Sequence, residues 1–246
     1  MPRRRISKVL AVEDAHLTRR RFVLGTIGAG AAVVAAACGG GSEDAAGADA
    51  GAGDTTSDPA ACTLYPQQTE GPYYLDLDLL RRDITEGREG VPLRLTVRVV
   101  RASDCAPLPS VAVDVWHADA DGVYSGYAGQ QGGLDTTGET FLRGTQVTDD
   151  DGSVEFETIY PGWYAGRTTH VHFKVHLSTS SEATSQMYFP EDVTAAVYAT
   201  PPYDARGQKD TSNAADGVAR NDLPPLLTIT EGDGEYVATL TVAIAT

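Results

Sequence analysis

The chain has little positive charge. Its 246 residues include 19 Lys and Arg against 34 Asp and Glu, which gives a net charge of −15. Seven of the basic residues and two of the acidic ones fall in residues 1–37, so the remainder has 12 basic and 32 acidic residues and a net charge of −20. Nucleic-acid binding needs clustered basic side chains, so this balance argues against a nucleic-acid partner. An acidic surface mainly favours solubility.

The chain also lacks an apolar run long enough to favour a membrane-spanning helix. An uncharged run from Val23 to Ala37 is short and rich in Gly and Ala. It follows Arg19, Arg20, Arg21 and Phe22. A basic segment before a short apolar one predicts an export signal over residues 1–37, and the paired arginines are similar to the twin-arginine type.

Ala35-Ala36-Ala37-Cys38 resembles a lipobox, although Ala35 stands where a large aliphatic residue is usual. The resemblance implies that Cys38 is lipidated and becomes the N-terminus of a cell-surface lipoprotein. An ordinary cleaved signal, which would release a secreted protein, and an uncleaved anchor are the alternatives. Residues 38–61 are rich in Gly, Ala, Asp and Ser, with too few apolar groups to offset ordering entropy, and so predict a flexible tether.

Cysteine is scarce, with three in the chain. Cys38 belongs to the predicted processing site, which leaves Cys62 and Cys105. An even pair in an exported chain predicts one disulfide, and two unrelated free thiols are the alternative.

Helical periodicity is almost absent from residues 62–246, which are enough for one domain with a real core. Turn-forming residues separate segments with strand-like alternation, and this spacing predicts an all-β fold, an antiparallel β-sandwich with long loops. One short helix is predicted over Glu191 to Tyr198, after Pro190, and residues 200–225 predict a long surface loop that flanks a site. The predicted strands cover residues 93–100, 111–116, 140–148, 153–159, 169–177, 186–189, 226–230 and 236–244.

The strand predicted over residues 169–177 carries a candidate metal site. His170, His172, Lys174 and His176 alternate with apolar residues, so they share one face of the strand. Side chains two residues apart on a strand lie roughly 6–7 Å apart, which lets the first two imidazoles converge on one ion. Two histidines are too few for a closed site, and a half-exposed strand with a basic outer face is the alternative.

Four further segments extend this pattern. Together they resemble the intradiol ring-cleavage dioxygenases, non-haem ferric enzymes that open catechols between the two hydroxyls. The resemblance spans about residues 62 to 200. Within the family, the chain resembles the small exported members in particular. It rests on Trp116 with Gly122-Val123-Tyr124-Ser125, Thr158-Ile159-Tyr160-Pro161-Gly162-Trp163-Tyr164, Arg167-Thr168-Thr169-His170-Val171-His172-Phe173, Thr69-Glu70-Gly71-Pro72-Tyr73-Tyr74 and Gln186-Met187-Tyr188-Phe189-Pro190.

The resemblance implies that Tyr124, Tyr164, His170 and His172 bind a ferric ion. Phenolates are hard anionic donors that suit ferric iron. It also implies catalytic roles for Arg167, for Tyr164 as an acceptor of a substrate proton, and for Gln186 in the lining of the site. The implied partners are a small aromatic diol and dioxygen, with muconate-type products and with membrane contact only through Cys38.

Departures from the family leave the substrate and the oligomeric state open. The loop from Tyr164 to His170 is short compared with relatives that cleave protocatechuate. A helical dimerisation region, as in the catechol-cleaving branch, is not predicted, because residues 39–60 are of low complexity. Two other functions remain: a non-catalytic β-sandwich module that binds aromatics, and a zinc hydrolase that uses His117, His170 and His172. We expect His117 to be a hydrogen-bonding neighbour and His176 not to be a ligand.

Overall fold

A computed structural model describes residues 62–178, 181–221 and 224–246. The predicted export signal, the lipidation of Cys38 and the tether over residues 38–61 lie outside the described residues and stay predictions. Within the described ranges, no helix is both long and apolar enough to cross a membrane. The described residues form ten strands, one α-helix and three short 3-10 turns. The strands and the helix are β1 (Pro92–Arg101), β2 (Ala112–Trp116), β3 (Ala128–Gln130), β4 (Leu134–Asp135), β5 (Arg143–Val147), β6 (Ser153–Ile159), β7 (His170–Ser178), β8 (Ser181–Tyr188), α1 (Glu191–Val197), β9 (Thr228–Glu231) and β10 (Tyr236–Ile244).

Two four-stranded sheets form the sandwich. Their strand orders are β6-β1-β10-β9 and β5-β2-β7-β8, and β3 pairs with β4 in a separate hairpin. Alternate residues of β1, such as Leu95 and Val97, are fully buried, and they join Val113 and Phe173 of the second sheet in one apolar core. The predicted all-β sandwich with one short helix is therefore confirmed.

One strand pair departs from the predicted antiparallel pattern. β1 and β10 run parallel, with Leu93 opposite Tyr236 and Arg101 opposite Ile244. A hairpin would force antiparallel pairing, but β10 reaches β1 only after the chain has passed through the second sheet, so its direction is not fixed by a turn. Strand β8 is also longer than predicted. Its first half, Ser181 to Ser185, consists mostly of small and polar residues that show no alternation, so the sequence pattern does not predict a strand there.

Strand β7 is buried on both faces. Val171 and Val175 face the core, while His170, His172 and Lys174 on the opposite face are 3%, 1% and 6% exposed. The half-exposed alternative is therefore wrong. The cover on the histidine side includes residues 62–80, which we call the N-terminal arm. It is attached by the Lys174–Glu70 ion pair and by other contacts described below.

The disulfide predicted between Cys62 and Cys105 is present, with a Cα–Cα distance of 5.3 Å. It joins the start of the N-terminal arm to the turn that follows β1. The arm is therefore covalently attached to the sandwich at its first described residue.

Candidate metal centre

Four donor atoms converge between the second sheet and two loops. The Nε2 atoms of His170 and His172, both on β7, lie 3.1 Å apart. The hydroxyl oxygen of Tyr124, from the turn after β2, lies 3.3 Å from Nε2 of His170, and that of Tyr164, from the loop after β6, lies 3.5 Å from the same nitrogen. The structure thus brings together all four predicted metal ligands.

The two imidazoles are held in different ways. Nδ1 of His170 lies 2.6 Å from the carbonyl oxygen of Thr168, which can only accept a hydrogen bond, so Nδ1 is the protonated nitrogen and Nε2 keeps its lone pair. The ring of His172 stacks on Trp116, with centroids 4.9 Å apart and an interplanar angle of 7°. Its Nδ1 is buried and has no hydrogen-bond partner. Packing against Trp116, rather than a hydrogen bond at Nδ1, therefore sets the orientation of this second ring.

The turn that carries Tyr124 is fixed by its backbone. Gly122 has φ of +77°, and a Cβ atom there would lie 2.0 Å from the carbonyl oxygen of Trp163, so only glycine fits. The side chain of Gln130 accepts a hydrogen bond from the Tyr124 backbone N–H at 2.8 Å and donates one to its carbonyl at 2.6 Å. Sequence reasoning missed Gln130, because it lies in a Gly-rich hairpin too short to show alternation.

Burial keeps these groups neutral in the metal-free protein. It lowers the pKa of His170 to about 3, with a further contribution from Arg167, and it lowers the pKa of His172 well below its usual value. Burial also raises the pKa of Tyr124 well above 10 and raises the pKa of Tyr164. The imidazoles are therefore ready to bind a cation, whereas the phenols need a cation beside them to become phenolates.

Arg167 connects three of the surrounding groups. Its Nη1 donates to the hydroxyl of Tyr164 at 3.2 Å, its Nη2 to Oε1 of Gln186 at 2.5 Å, and its Nε to Oδ2 of Asp216 at 2.8 Å. Burial by itself would lower the pKa of Arg167, but Tyr164 and Asp216 outweigh it and raise the pKa. The predicted catalytic residues Arg167, Tyr164 and Gln186 thus lie together. Asp216 was not singled out from the sequence, since it lies in the long loop over residues 200–225.

The N-terminal arm supplies an aromatic wall. The ring of Tyr73 stacks on that of Tyr124 at 4.4 Å and meets those of Tyr127 and Tyr164 edge-on. The neighbouring Tyr74 donates to Asp114 of β2 at 2.8 Å, which attaches the arm to the sheet. Both tyrosines belong to a motif that the sequence singled out, but no local signal showed that it would lie over the predicted ligands.

The other two histidines in the part of the chain that the structure describes make structural contacts. His117 has one ring nitrogen 2.8 Å from the carbonyl oxygen of Ala118 and the other 2.7 Å from the hydroxyl of Thr158. His176 lies 2.9 Å from Asp114 and 3.4 Å from Glu182. The structure thus supports both expectations for these residues. Among the described residues, no three His, Cys, Asp or Glu side chains are grouped as a metal site, so the structure does not bring His117 together with His170 and His172 as the zinc alternative requires.

The donor set fits a metal ion that accepts tyrosine oxygen. Nitrogen and oxygen ligands bind such ions at about 2.0–2.2 Å, so neighbouring ligands of one ion lie about 3 Å apart or slightly more. The observed separations of 3.1 to 3.5 Å match this requirement. A hard, highly charged cation suits two phenolates better than a soft one. Metal binding by these residues stays a prediction.

Gly71 of the arm offers a test of the packing around His172. Its φ is +69°, and a Cβ atom would lie 3.4 Å from Cε1 of His172. Gly71→Ala is expected to lower the free energy of unfolding by about 1–2 kcal/mol from backbone strain alone, because the added Cβ would make an ordinary van der Waals contact with the ring and would not displace it. Gly87, with φ of +73° and no atom within 4 Å of a Cβ, is the matched control. Urea unfolding of the two alanine variants is expected to give similar losses, and a clearly larger loss for Gly71→Ala would show that the ring of His172 has to move and would contradict this prediction.

Comparison with known proteins gives one consistent result. A family model described as "Dioxygenase" matches residues 69–201. The chain is 31% identical over 143 residues to a chlorocatechol 1,2-dioxygenase of Cupriavidus pinatubonensis, covering 49% of this chain and 52% of that relative. The chain spans about half the length of the curated relatives it matches.

Solved structures give a longer match. An intradiol ring-cleavage dioxygenase from Tetranychus urticae superposes with a TM-score of 0.70 at 31% identity, over 75% of this chain and 95% of that one. The dioxygenase domain of a dioxygenase carbohydrate-binding protein fusion from Streptomyces sp. SirexAA-E superposes with a TM-score of 0.57 at 30% identity, over 75% and 99% of the two chains.

Proposed function

Because the chain belongs to the intradiol ring-cleavage dioxygenase family, we propose that it uses non-haem ferric iron and dioxygen to cleave catechol-type rings between the two hydroxyls. Muconate-type diacids are the products. The observation that carries this proposal is the convergence of the two phenol oxygens of Tyr124 and Tyr164 and Nε2 of His172 on Nε2 of His170, at distances of 3.1 to 3.5 Å.

Tyr124, Tyr164, His170 and His172 would hold the iron. When bound, ferric iron accepts electron density from a catecholate and makes the ring reactive toward dioxygen. The choice of ferric iron rests on the two tyrosines, since phenolate is a hard anionic ligand that favours the trivalent ion. The relatives named for catechol and chlorocatechol cleavage support the choice of substrate class.

Access to the site is from the side of Tyr73 and Tyr164. Tyr124, His170 and His172 are almost completely buried, whereas the rings of Tyr73 and Tyr164 are partly exposed. A planar aromatic diol that enters from this side with its hydroxyls foremost would pass between aromatic rings and bring its hydroxyls to the donor cluster. Apolar walls with a few convergent polar groups are typical of small-molecule sites.

Tyr164 and Arg167 handle protons and charge in this proposal. With a cation bound, the phenolate oxygen of Tyr164 would be the acceptor for a proton of the incoming diol, because it is the most accessible of the four donors. Arg167 donates to that oxygen, and its fixed positive charge stabilises negative charge that develops on the substrate. Gln186 holds Nη2 of Arg167, so the guanidinium does not need to reorient during the reaction.

An oxygen-uptake assay tests the proposal. The iron-loaded protein is mixed with catechol, protocatechuate or hydroxyquinol, and the products are identified by mass. We expect one mole of dioxygen to be consumed for each mole of ring cleaved, with both oxygen atoms in the product, and a visible phenolate-to-iron absorption band. A colourless protein that gains no activity on ferric loading would refute the proposal.

A further inference from the structure

We propose that Asp216 is a positioning residue that fixes both Arg167 and His170 from the loop after α1. The inference rests on the proposed function for its kinetic consequences, but its structural content concerns only residues of this chain. Asp216 lies 49 residues after Arg167 in the sequence and is 0% exposed. A carboxylate buried so completely needs a full set of hydrogen bonds or a charged partner.

Asp216 has both. Oδ2 accepts hydrogen bonds from Nε of Arg167 and from the backbone N–H of Thr168, each at 2.8 Å. Oδ1 accepts from the backbone N–H groups of Val218 and Ala219 at 2.8 and 2.9 Å. One oxygen is thus anchored to its own loop, while the other points at the segment that leads into β7.

The contact with Arg167 determines where its other nitrogens point. With Nε held by Asp216, the planar guanidinium directs Nη1 at the hydroxyl of Tyr164 and Nη2 at Gln186. The geometry of the guanidinium is rigid, so fixing one edge fixes the whole group. Asp216 therefore sets the direction of the positive charge without itself reaching the donor cluster.

The contact with Thr168 acts on an imidazole. The same peptide segment whose N–H is bound by Asp216 presents the Thr168 carbonyl oxygen to Nδ1 of His170 at 2.6 Å. The loop also binds the Thr168 side chain, whose hydroxyl donates to Asn213 at 2.6 Å. Partners that orient a ligating histidine typically change metal affinity 10- to 100-fold when removed.

A carboxylate is required here because all four groups that it binds are N–H donors. An amide has one acceptor oxygen and one donor nitrogen, so Asp216→Asn would face two of the donors with its own N–H groups in either orientation. The substitution keeps the shape of the side chain and removes the ion pair with Arg167. Asp210→Asn is the matched control, because Asp210 lies in the same loop and contacts the backbone N–H of Gly166, but it is exposed and does not contact Arg167.

The first measurement uses the metal-free protein. The Nε–H signal of Arg167 in a ¹⁵N NMR spectrum, assigned by its loss in Arg167→Gln, is expected to exchange slowly with solvent in the wild type and in Asp210→Asn. In Asp216→Asn we expect this protection to be lost. Equal protection in all three proteins would overturn the proposal, whether or not the protein has any activity.

The second measurement uses the metal and the reaction. By chelator competition, Asp216→Asn is expected to bind ferric iron about 10- to 100-fold more weakly than the wild type and Asp210→Asn. In oxygen uptake at saturating iron, we expect Asp216→Asn to lower kcat at least about 10-fold. In protein that already carries Arg167→Gln, we expect Asp216→Asn to lower kcat far less, because the effects of substitutions at residues that act through one another are not additive. Unchanged affinity and kcat, or full additivity, would overturn the proposal.

Failure of the proposed function and failure of the role proposed for Asp216 give different results. A wild-type protein that cleaves no catechol refutes the proposed function, while the NMR comparison still decides the role of Asp216. If Asp216→Asn does not fold, Asp216→Glu replaces it, since the longer carboxylate keeps the charge but moves it. For that variant we expect reduced protection of Arg167 and a loss of affinity, and wild-type values for both would overturn the proposal.

Discussion

His172→Ala is expected to abolish stoichiometric iron binding and to lower kcat for catechol cleavage by at least about 100- to 1,000-fold, the size of effect that follows loss of a preorganised stabilising group. The substitution removes one of four converging donor atoms and leaves a gap against the ring of Trp116. Metal analysis after ferric loading and an oxygen-uptake assay measure the two effects.

His176→Ala is the matched control for this prediction. His176 lies on the same face of the same strand, but it contacts Asp114 and Glu182 rather than the donor cluster. We expect it to keep one iron per chain and a kcat near that of the wild type. If both variants lose iron equally, or if His172→Ala keeps it, the assignment of the ligands on β7 is wrong.

Replacing Cys62 and Cys105 together by serine is expected to lower the free energy of unfolding by about 4 kcal/mol, from the chain entropy that a bridge over 43 residues removes from the unfolded state. The start of the N-terminal arm would then be held only by non-covalent contacts. Urea unfolding measures the loss, and limited proteolysis should cut the arm sooner in the variant.

A reducing agent provides the control for the disulfide. It should bring the wild type close to the stability of the double variant and leave the variant unchanged. A double variant within about 1 kcal/mol of the oxidised wild type would contradict the stabilising role, since bridges over loops of this length typically contribute 2–4 kcal/mol.

Local pattern was sufficient to predict most of the fold. The alternation along β7 and β10 predicted both strands to within about one residue, because packing of one face against the apolar core imposes a period of two on the apolar residues. The predicted ligand set came from motif resemblance, which also predicted Arg167 and Gln186 as site residues. These features share a cause: each depends on residues close together in the chain.

The features that the sequence did not predict depend on pairing with other segments. The first half of β8, Ser181 to Ser185, forms because β7 offers it an edge, although these residues do not alternate. The burial of Lys174 depends on Glu70, 104 residues away, and the place of Asp216 depends on the path of a long irregular loop. Neither contact leaves a local signal, since what matters is where two separate segments meet.

The parallel pairing of β1 with β10 has a consequence for the order of folding. Leu93 meets Tyr236 only after nearly the whole domain has been synthesised, so β1 has an unpaired edge until the last strand arrives. Closing so long a loop carries an entropic cost before any contact offsets it, and such topologies fold in milliseconds to seconds rather than microseconds. The C-terminal strand therefore sets the time at which the first sheet is complete, and with it the time at which the sandwich can enclose its core.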